Sequence, residues 1–456
     1  MDIKNTVRPL LPPTSRAFLN KSDQLENAIQ ALLQQNQILQ EQIGMLQKQT
    51  IELQKGQDTL RRQIGYGNLE YATHDSSDSK ILLVGWYGAQ NFGDDLMCRT
   101  IIEHLPDDLL SRTAVLVWDN KDLPTDYFGT KVHILHYPAS TWDIDYLGNN
   151  FDTIIWGGGA ILDDIQFTDN QHNINTGNLF IRLNKRVLER NGHVWCIGLS
   201  SNDHLTDAEY IDNLSFIVNR CDYFSLRDPY SLSVLQAAGI NTSNVILCED
   251  IAFASSEICS LAKRKPSTNK DRFKLAVFAL AAIEKADAYA CALENIITIL
   301  EQDSLNPTID LIPFLKLDDN DDLFFEQVIS RMNSRAGSRC NIRPYVCKPS
   351  QLRLEQYDAA LSSKYHAALI ALIQQVPTLC IYDQDHPHYK NKMKHLAELA
   401  EMPQWAISLD EFFASPIGQF KLLSQAIETK TDTFQLDKTV RSSQGWLNKI
   451  CSEITV

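Results

Sequence analysis

From residue 80 to 383 the chain alternates short apolar runs, polar or glycine turns, and segments of helical period. KILLV (80–84), TAVLVW (113–118), KVHILHY (131–137), TIIW (153–156), HVWCIGL (193–199), DYFSL (222–226) and VILCED (245–250) read as strands. Short, almost continuous apolar runs are what strands covered on both faces require. Helices fall between them, at 94–105, 180–190, 211–219 and 229–238. The last is the best bounded, with Asp228 at the N-cap, Pro229 at the first helical position and Gly239 just past the end. After the polar, basic stretch 263–274 a second series begins: KLAVFAL (274–280), TIDLIPF (308–314), NIRPYV (341–346), DAALSS (358–363) and TLCIYD (378–383), again with helices between. The alternation predicts an α/β protein with two doubly wound, Rossmann-like domains over 80–265 and 272–420, and a helical tail over 421–456.

The N-terminal part has a different period. Leucine recurs at every seventh position through Leu25, Leu32, Leu39, Leu46, Leu53 and Leu60. With these at d, the a positions are Ile29, Asn36, Ile43, Thr50, Gln57 and Ile64. Isoleucine at a with leucine at d favours two parallel strands, and a single buried Asn at a fixes register. The alternative register places Ala28, Gln35, Gln42, Gln49 and Gly56 at d and is much weaker. Residues 23–64 are therefore expected to form a coiled coil that joins two copies of the chain as a homodimer. The competing reading is one amphipathic helix lying on its own domain. Residues 1–22 read as a flexible tail and 65–79 as a linker.

Composition narrows the function. The 456 residues carry 42 Lys and Arg against 57 Asp and Glu, a net charge of −15, which disfavours nucleic acid as a partner. No apolar run is long enough for a membrane span, and the opening MDIKNTVRPLLPPTSRAF lacks the apolar core of a signal peptide. The ten cysteines include no C-x-x-C pair and fit reduced thiols. A cytoplasmic protein is expected, working at the inner face of the membrane if its substrate is lipid-linked. No basic amphipathic anchor is evident, so docking there would need a partner. No metal is expected: Asp383, Asp385, His386, His388 and His395 lack metal-binding spacing, and the acidic run at 318–322 lacks the calcium-loop pattern.

Ligands of doubly wound sheets bind at strand carboxyl ends, near helix N-termini. Four segments sit there. Gly85–Asp95 (GWYGAQNFGDD) brings three glycines and Asn91 before a helix, with Asp94 either a helix cap or a ligand contact. Gly157, Gly158 and Gly159 follow the run TIIW and read as a loop able to cradle an anion; they match neither the Walker nor the dinucleotide fingerprint. Arg227 stands between strand and helix, where it either meets an anion or pairs with Asp228 or Asp250. Lys364 and His366 place a cation and an imidazole at the entry of an apolar helix.

Taken in order, these segments resemble the polysaccharide pyruvyl transferase family. The resemblance rests on Gly85–Asp95, the G-G-G run, Ser225–Ser231 (S-x-R-D-x-x-S), Asp250–Phe253 (D-x-A-F), Lys364–Ala367 in place of R-x-H-A, and Ile381–Asp383. It implies a fold like that of the GT-B glycosyltransferases and transfer of pyruvate from phosphoenolpyruvate to two sugar hydroxyls as a ketal, with phosphate released. It further implies a glycan or lipid-linked sugar as acceptor and no cofactor beyond the donor substrate. Arg227 and Lys364 are then candidates for the anion clamp, and His366 for the acid or a phosphate donor. Gly157–Gly159 and Asn91 would be binding positions, and Asp94 or Asp95 would orient the acceptor. Two other readings stand beside it: a glycosyltransferase-like enzyme using a nucleotide sugar, and a noncatalytic coiled-coil partner in a glycan-assembly complex.

Overall fold

The computed structural model describes residues 80–118, 126–137, 141–164, 176–201, 204–264, 271–279, 282–316, 321–429 and 436–454. The tail, the heptad segment 23–64 and the linker lie outside them. Seven strands, β1 (Ile81–Val84), β2 (Thr113–Val117), β3 (His133–His136), β4 (Thr153–Leu162), β5 (His193–Ser201), β6 (Tyr223–Leu226) and β7 (Ile246–Leu247), form one parallel sheet in the order β3-β2-β1-β4-β5-β6-β7. Six more, β8 (Arg272–Phe278), β9 (Asn306–Leu311), β10 (Cys340–Ile342), β11 (Ala359–Ser362), β12 (Thr378–Tyr382) and β13 (Ala406–Ser408), form a second parallel sheet in the order β10-β9-β8-β11-β12-β13. The main helices are α1 (Phe92–His104), α2 (Thr141–Asn150), α3 (Thr176–Glu189), α4 (Ala208–Arg220), α5 (Pro229–Ala237), α6 (Ala286–Gln302), α7 (Asp321–Arg331), α8 (Tyr365–Ile373), α9 (Pro387–Leu399), α10 (Pro416–Thr429) and α11 (Leu436–Glu453). Both sheets are doubly wound, as the alternation of runs predicted.

The continuous apolar runs are explained by burial on two faces. In β1, Ile81 and Leu83 enter one core while Leu82 and Val84 enter the other, and all four are fully buried. The first of these cores continues into the second sheet through Phe92, Phe314, Ala367 and Leu369. That shared core places the carboxyl edges of the two sheets against each other. Helix α11 crosses back to pack on α1 and on the turn Ile251–Ala254, and Trp446 Nε1 donates to the Tyr223 hydroxyl at 2.7 Å.

Strand lengths depart from expectation at several places, and β10 covers only Cys340–Ile342 where 341–346 was expected. Strand β4 does not stop at Trp156 but runs through the three glycines to Leu162. The run 245–250 supplies only two strand residues, whose side chains are exposed. The three-residue β13 closes the second sheet from a segment too short to show any pattern. Among the described residues no helix is long and apolar enough to cross a membrane.

Candidate active site

The segment Gly85–Asp95 joins β1 to α1 and also joins the two halves. Asn91 is the N-cap of α1, its side chain accepting from Gly93 N at 3.3 Å. Its backbone makes an antiparallel bridge with Leu315, and Phe92 N donates to Phe314 O at 3.1 Å. The N-terminal turn of α1 is thus fixed against the segment that follows β9.

The two aspartates of this turn diverge. Asp95 is fully buried, with Oδ1 accepting from Gly88 N at 2.6 Å and Oδ2 from the Tyr127 hydroxyl at 3.3 Å. Burial lifts its carboxyl to about 7, against the Gly88 hydrogen bond and the charge of Arg99. Both oxygens are occupied within the loop and its support, so Asp95 holds the turn closed, whereas an acceptor-orienting role was expected for it. Asp94 is partly exposed and faces the other way: a Cβ on Gly159 would stand 3.0 Å from its Oδ1. Burial lifts the Asp94 carboxyl to about 6, against the pull of His366, Arg227 and Lys392.

The three glycines serve close approach. Gly157 pairs with Ile197 and Gly159 with Leu199, followed by a register shift between Ala160 and Leu162. Gly158 and Gly159 have φ of +63° and +101°, a region that favours glycine. A Cβ on Gly158 would stand 2.8 Å from Met97 Sδ. The expected anion-cradling loop is instead an irregular strand against which α1 packs closely, bringing Asp94 to the sheet edge.

Arg227 and His366 do come together. Arg227 Nη1 donates to Asp250 Oδ2 at 2.6 Å, and His366 Nε2 stands 3.5 Å from Asp250 Oδ1. Asp250 is buried, and Oδ1 also accepts from Ala252 N at 2.8 Å. Burial alone would raise this carboxyl, but the Arg227 guanidinium and the His366 ring hold it well below the usual carboxylate range. Asp228 is left to cap α5, accepting from Ser231 N at 2.6 Å. The 3.5 Å contact of His366 is an ion-pair approach without hydrogen-bond geometry, and Nε2 is otherwise unpartnered. Lys364 goes elsewhere: its Nζ pairs with Asp321 Oδ1 at 3.1 Å, while Asp321 Oδ2 accepts from Phe314 N and Leu315 N.

A different lysine lies within electrostatic reach of this cluster. Lys392 lies on α9, beyond β12, with Nζ 4.0 Å from the Tyr389 ring centroid. Burial and the neighbouring Arg227 charge push its ammonium down to about 7, against the attraction of Asp228, Asp94 and Asp250. Sequence reasoning missed it because Lys390, Lys392 and Lys394 all follow the same strand; the cue was only that α9 begins at a strand carboxyl end.

The profile of the polysaccharide pyruvyl transferase family matches residues 91–385. The chain belongs to that family. No curated protein gives a significant sequence match. Among solved structures, the UDP-GlcNAc 2-epimerase from Methanocaldococcus jannaschii superposes with a TM-score of 0.50 at 12% identity, covering 82% of this chain and 98% of that one. HepE from Anabaena, in complex with UDP-glucose, gives 0.49 at 12% identity over 82% and 99% of the two chains. At such identities the likeness is one of fold: two facing α/β halves of the GT-B type. In this pyruvyl transferase family member the matched segment begins at the N-cap Asn91 and includes Asp94, Arg227, Asp250 and His366. Lys392 lies just beyond it. The arrangement sets cationic groups, an imidazole and a carboxylate of raised pKa around one point, the elements of anion binding and proton transfer.

Proposed function

We propose that this protein transfers the pyruvyl group of phosphoenolpyruvate to two hydroxyls of one sugar as a cyclic ketal. The observation that carries the reading is the convergence of Arg227, His366 and Asp94 at the N-terminus of α1, with Lys392 within electrostatic reach of them, in a chain of this family. The donor brings a carboxylate and a phosphate. Arg227 and Lys392 are the cations assigned to them, with the N–H groups of the first turn of α1 adding positive potential. Lys364 stays with Asp321.

In the proposed reaction, His366 as imidazolium protonates the methylene carbon of the donor, and its neighbour Asp250 stabilises the charged ring. Protonation leaves an oxocarbenium-like centre at C2. A sugar hydroxyl adds there and gives its proton to Asp94, whose pKa of about 6 suits a base at neutral pH. Phosphate then leaves with the C2–O bond electrons, and the second hydroxyl adds. Of the two hydroxyl protons, one replaces that spent on the methyl group and one leaves with phosphate, so the transfer balances without a cofactor.

The acceptor is assigned to a glycan or its lipid-linked precursor. Two chains joined through residues 23–64 would carry two such sites; a monomeric mass for the full chain in sedimentation would remove the dimer. The reading itself is tested by calorimetric titration with phosphoenolpyruvate, followed by phosphate release with and without sugar acceptors. Saturable donor binding and acceptor-dependent phosphate release are expected. A wild-type chain that binds no donor at millimolar concentration sinks the assignment.

A further inference from the structure

Trp86, Trp118 and Tyr137 meet beyond the carboxyl ends of β1, β2 and β3. The ring centroids of Trp86 and Trp118 are 4.8 Å apart, those of Trp118 and Tyr137 4.9 Å, and those of Trp86 and Tyr137 6.5 Å. Trp156, Trp195 and Trp405 are buried in the cores, whereas both indoles of this cluster are only partly buried, Trp118 packing on the edge of a core. Core packing does not require two indoles partly in water at a sheet edge, and an amphipathic ring in that position suits recognition.

The cluster is fastened to the active-site loop. The Tyr137 hydroxyl donates to Gly85 O at 2.5 Å, and Trp118 N donates to Tyr87 O at 2.7 Å. Gly85 and Tyr87 begin the segment that ends in Asp94, so the aromatic rings and that carboxylate share one rigid support. Burial and the nearby Asp94 charge both raise the Tyr137 hydroxyl, which places the two within electrostatic reach. Asp94 thus interacts electrostatically both with His366, Arg227 and Lys392 and with Tyr137 of the aromatic cluster.

A pyranose ring suits a partly exposed aromatic cluster fastened to that loop. One of its faces is a patch of C–H groups that packs on an aromatic ring, and its rim is a set of hydroxyls that need polar partners. We propose that Trp86 and Trp118, backed by Tyr137, form the acceptor subsite, where a pyranose ring stacks with its reacting hydroxyls turned toward Asp94. The assignment rests on the pyruvyl-transfer reading for the role of the sugar, but the platform is testable alone.

The test is saturation-transfer NMR on the full-length protein, using methyl glycosides of glucose, galactose and mannose, with phosphoenolpyruvate binding followed in parallel by calorimetry. Saturation concentrated on the ring protons of one face is expected for at least one glycoside. It should fall at least fivefold in Trp86→Ala/Trp118→Ala and persist in Trp86→Phe, with donor affinity unchanged in both. If the double variant does not fold, Trp86→Leu, which keeps apolar packing without a flat face, is read the same way. No transfer to any glycoside in the wild type, or undiminished transfer in the folded alanine or leucine variant, overturns the subsite. Glycoside binding on this platform without any donor binding overturns the pyruvyl reading and leaves the subsite standing.

Discussion

Gly93 in the first turn of α1 and His366 in the first turn of α8 are packed so tightly that a Cβ on Gly93 would stand 1.8 Å from Nδ1 of the imidazole. One sheet supplies the glycine and the other the histidine, so this contact positions the ring across the joint between the halves. In Gly93→Ala the imidazole must move away, and with it the Nε2 that approaches Asp250. Alanine is a better helix former than glycine by about 1 kcal/mol, which offsets part of the strain. The fold should persist while turnover falls by about a hundredfold, as a displacement near 1 Å does at a reacting group. His366→Ala should lose about a hundred- to ten-thousandfold with the fold retained. Phosphate-release rates beside melting temperatures read both; unchanged turnover would remove His366 from the mechanism.

Arg227 has a structural and a functional side that one substitution cannot separate. Arg227→Ala takes the guanidinium from buried Asp250 and leaves it only Ala252 N and the looser approach of His366, which costs up to about 3–5 kcal/mol. The double variant Arg227→Ala/Asp250→Asn removes that buried charge. It should recover most of the lost melting temperature and still fail to bind phosphoenolpyruvate. Recovery of donor binding together with stability would reduce Arg227 to a structural ion pair.

The fold was legible because each buried strand writes both of its faces as largely apolar; β1 does so without interruption, β12 after Thr378 and β8 from Leu275 onward. Strands of two or three residues, β7 and β13, have no room for a pattern. The three glycines read as a loop because glycine usually weakens a strand; the close packing of Met97 and Asp94 that calls for them involves a different element. Arg227, His366 and Asp94 were legible from their place at strand ends. Their partners were less so: Asp250 was one of two carboxylates weighed for Arg227, and only the fold shows that it also serves His366. Lys364 and Lys392 show the limit most clearly, since the charge of the first is taken by Asp321 and the second is set apart from Lys390 and Lys394 only by the charges that the fold brings around it.

Asp95 gives stability a pH slope of known sign. Burial raises its carboxyl from 3.8 to about 7, so between those values the folded chain holds a proton that the unfolded chain has lost. That stabilising contribution is complete below 3.8 and is lost as pH rises through 7. Asp94, raised to about 6, adds a slope of the same sign. In Asp95→Asn the amide oxygen can still accept from Gly88 N without a buried charge. The variant should melt higher than wild type at pH 8 and show a flatter profile from pH 4 to 7. A melting temperature at pH 8 equal to or below that of the wild type would mean that Asp95 is ionised there and stabilised by its partners.

Lys392 gives donor binding a pH signature of its own. Its ammonium is pushed from 10.5 down to about 7, so in this window the folded lysine is largely neutral while the unfolded one is charged. Its contribution to stability is therefore present above 10.5 and lost as pH falls through 7. A bound phosphate or carboxylate favours the charged form and reverses the shift. Donor binding at pH 8 should then take up close to one proton, which calorimetry in buffers of different ionisation enthalpy measures directly. Lys392→Met should abolish the uptake and weaken binding by about ten- to a hundredfold, the range of one charge-assisted hydrogen bond. Because methionine keeps the apolar length of the side chain beside Tyr389, the fold should be undisturbed. Equal proton uptake by wild type and variant would assign the titration to another group and take Lys392 out of the anion clamp.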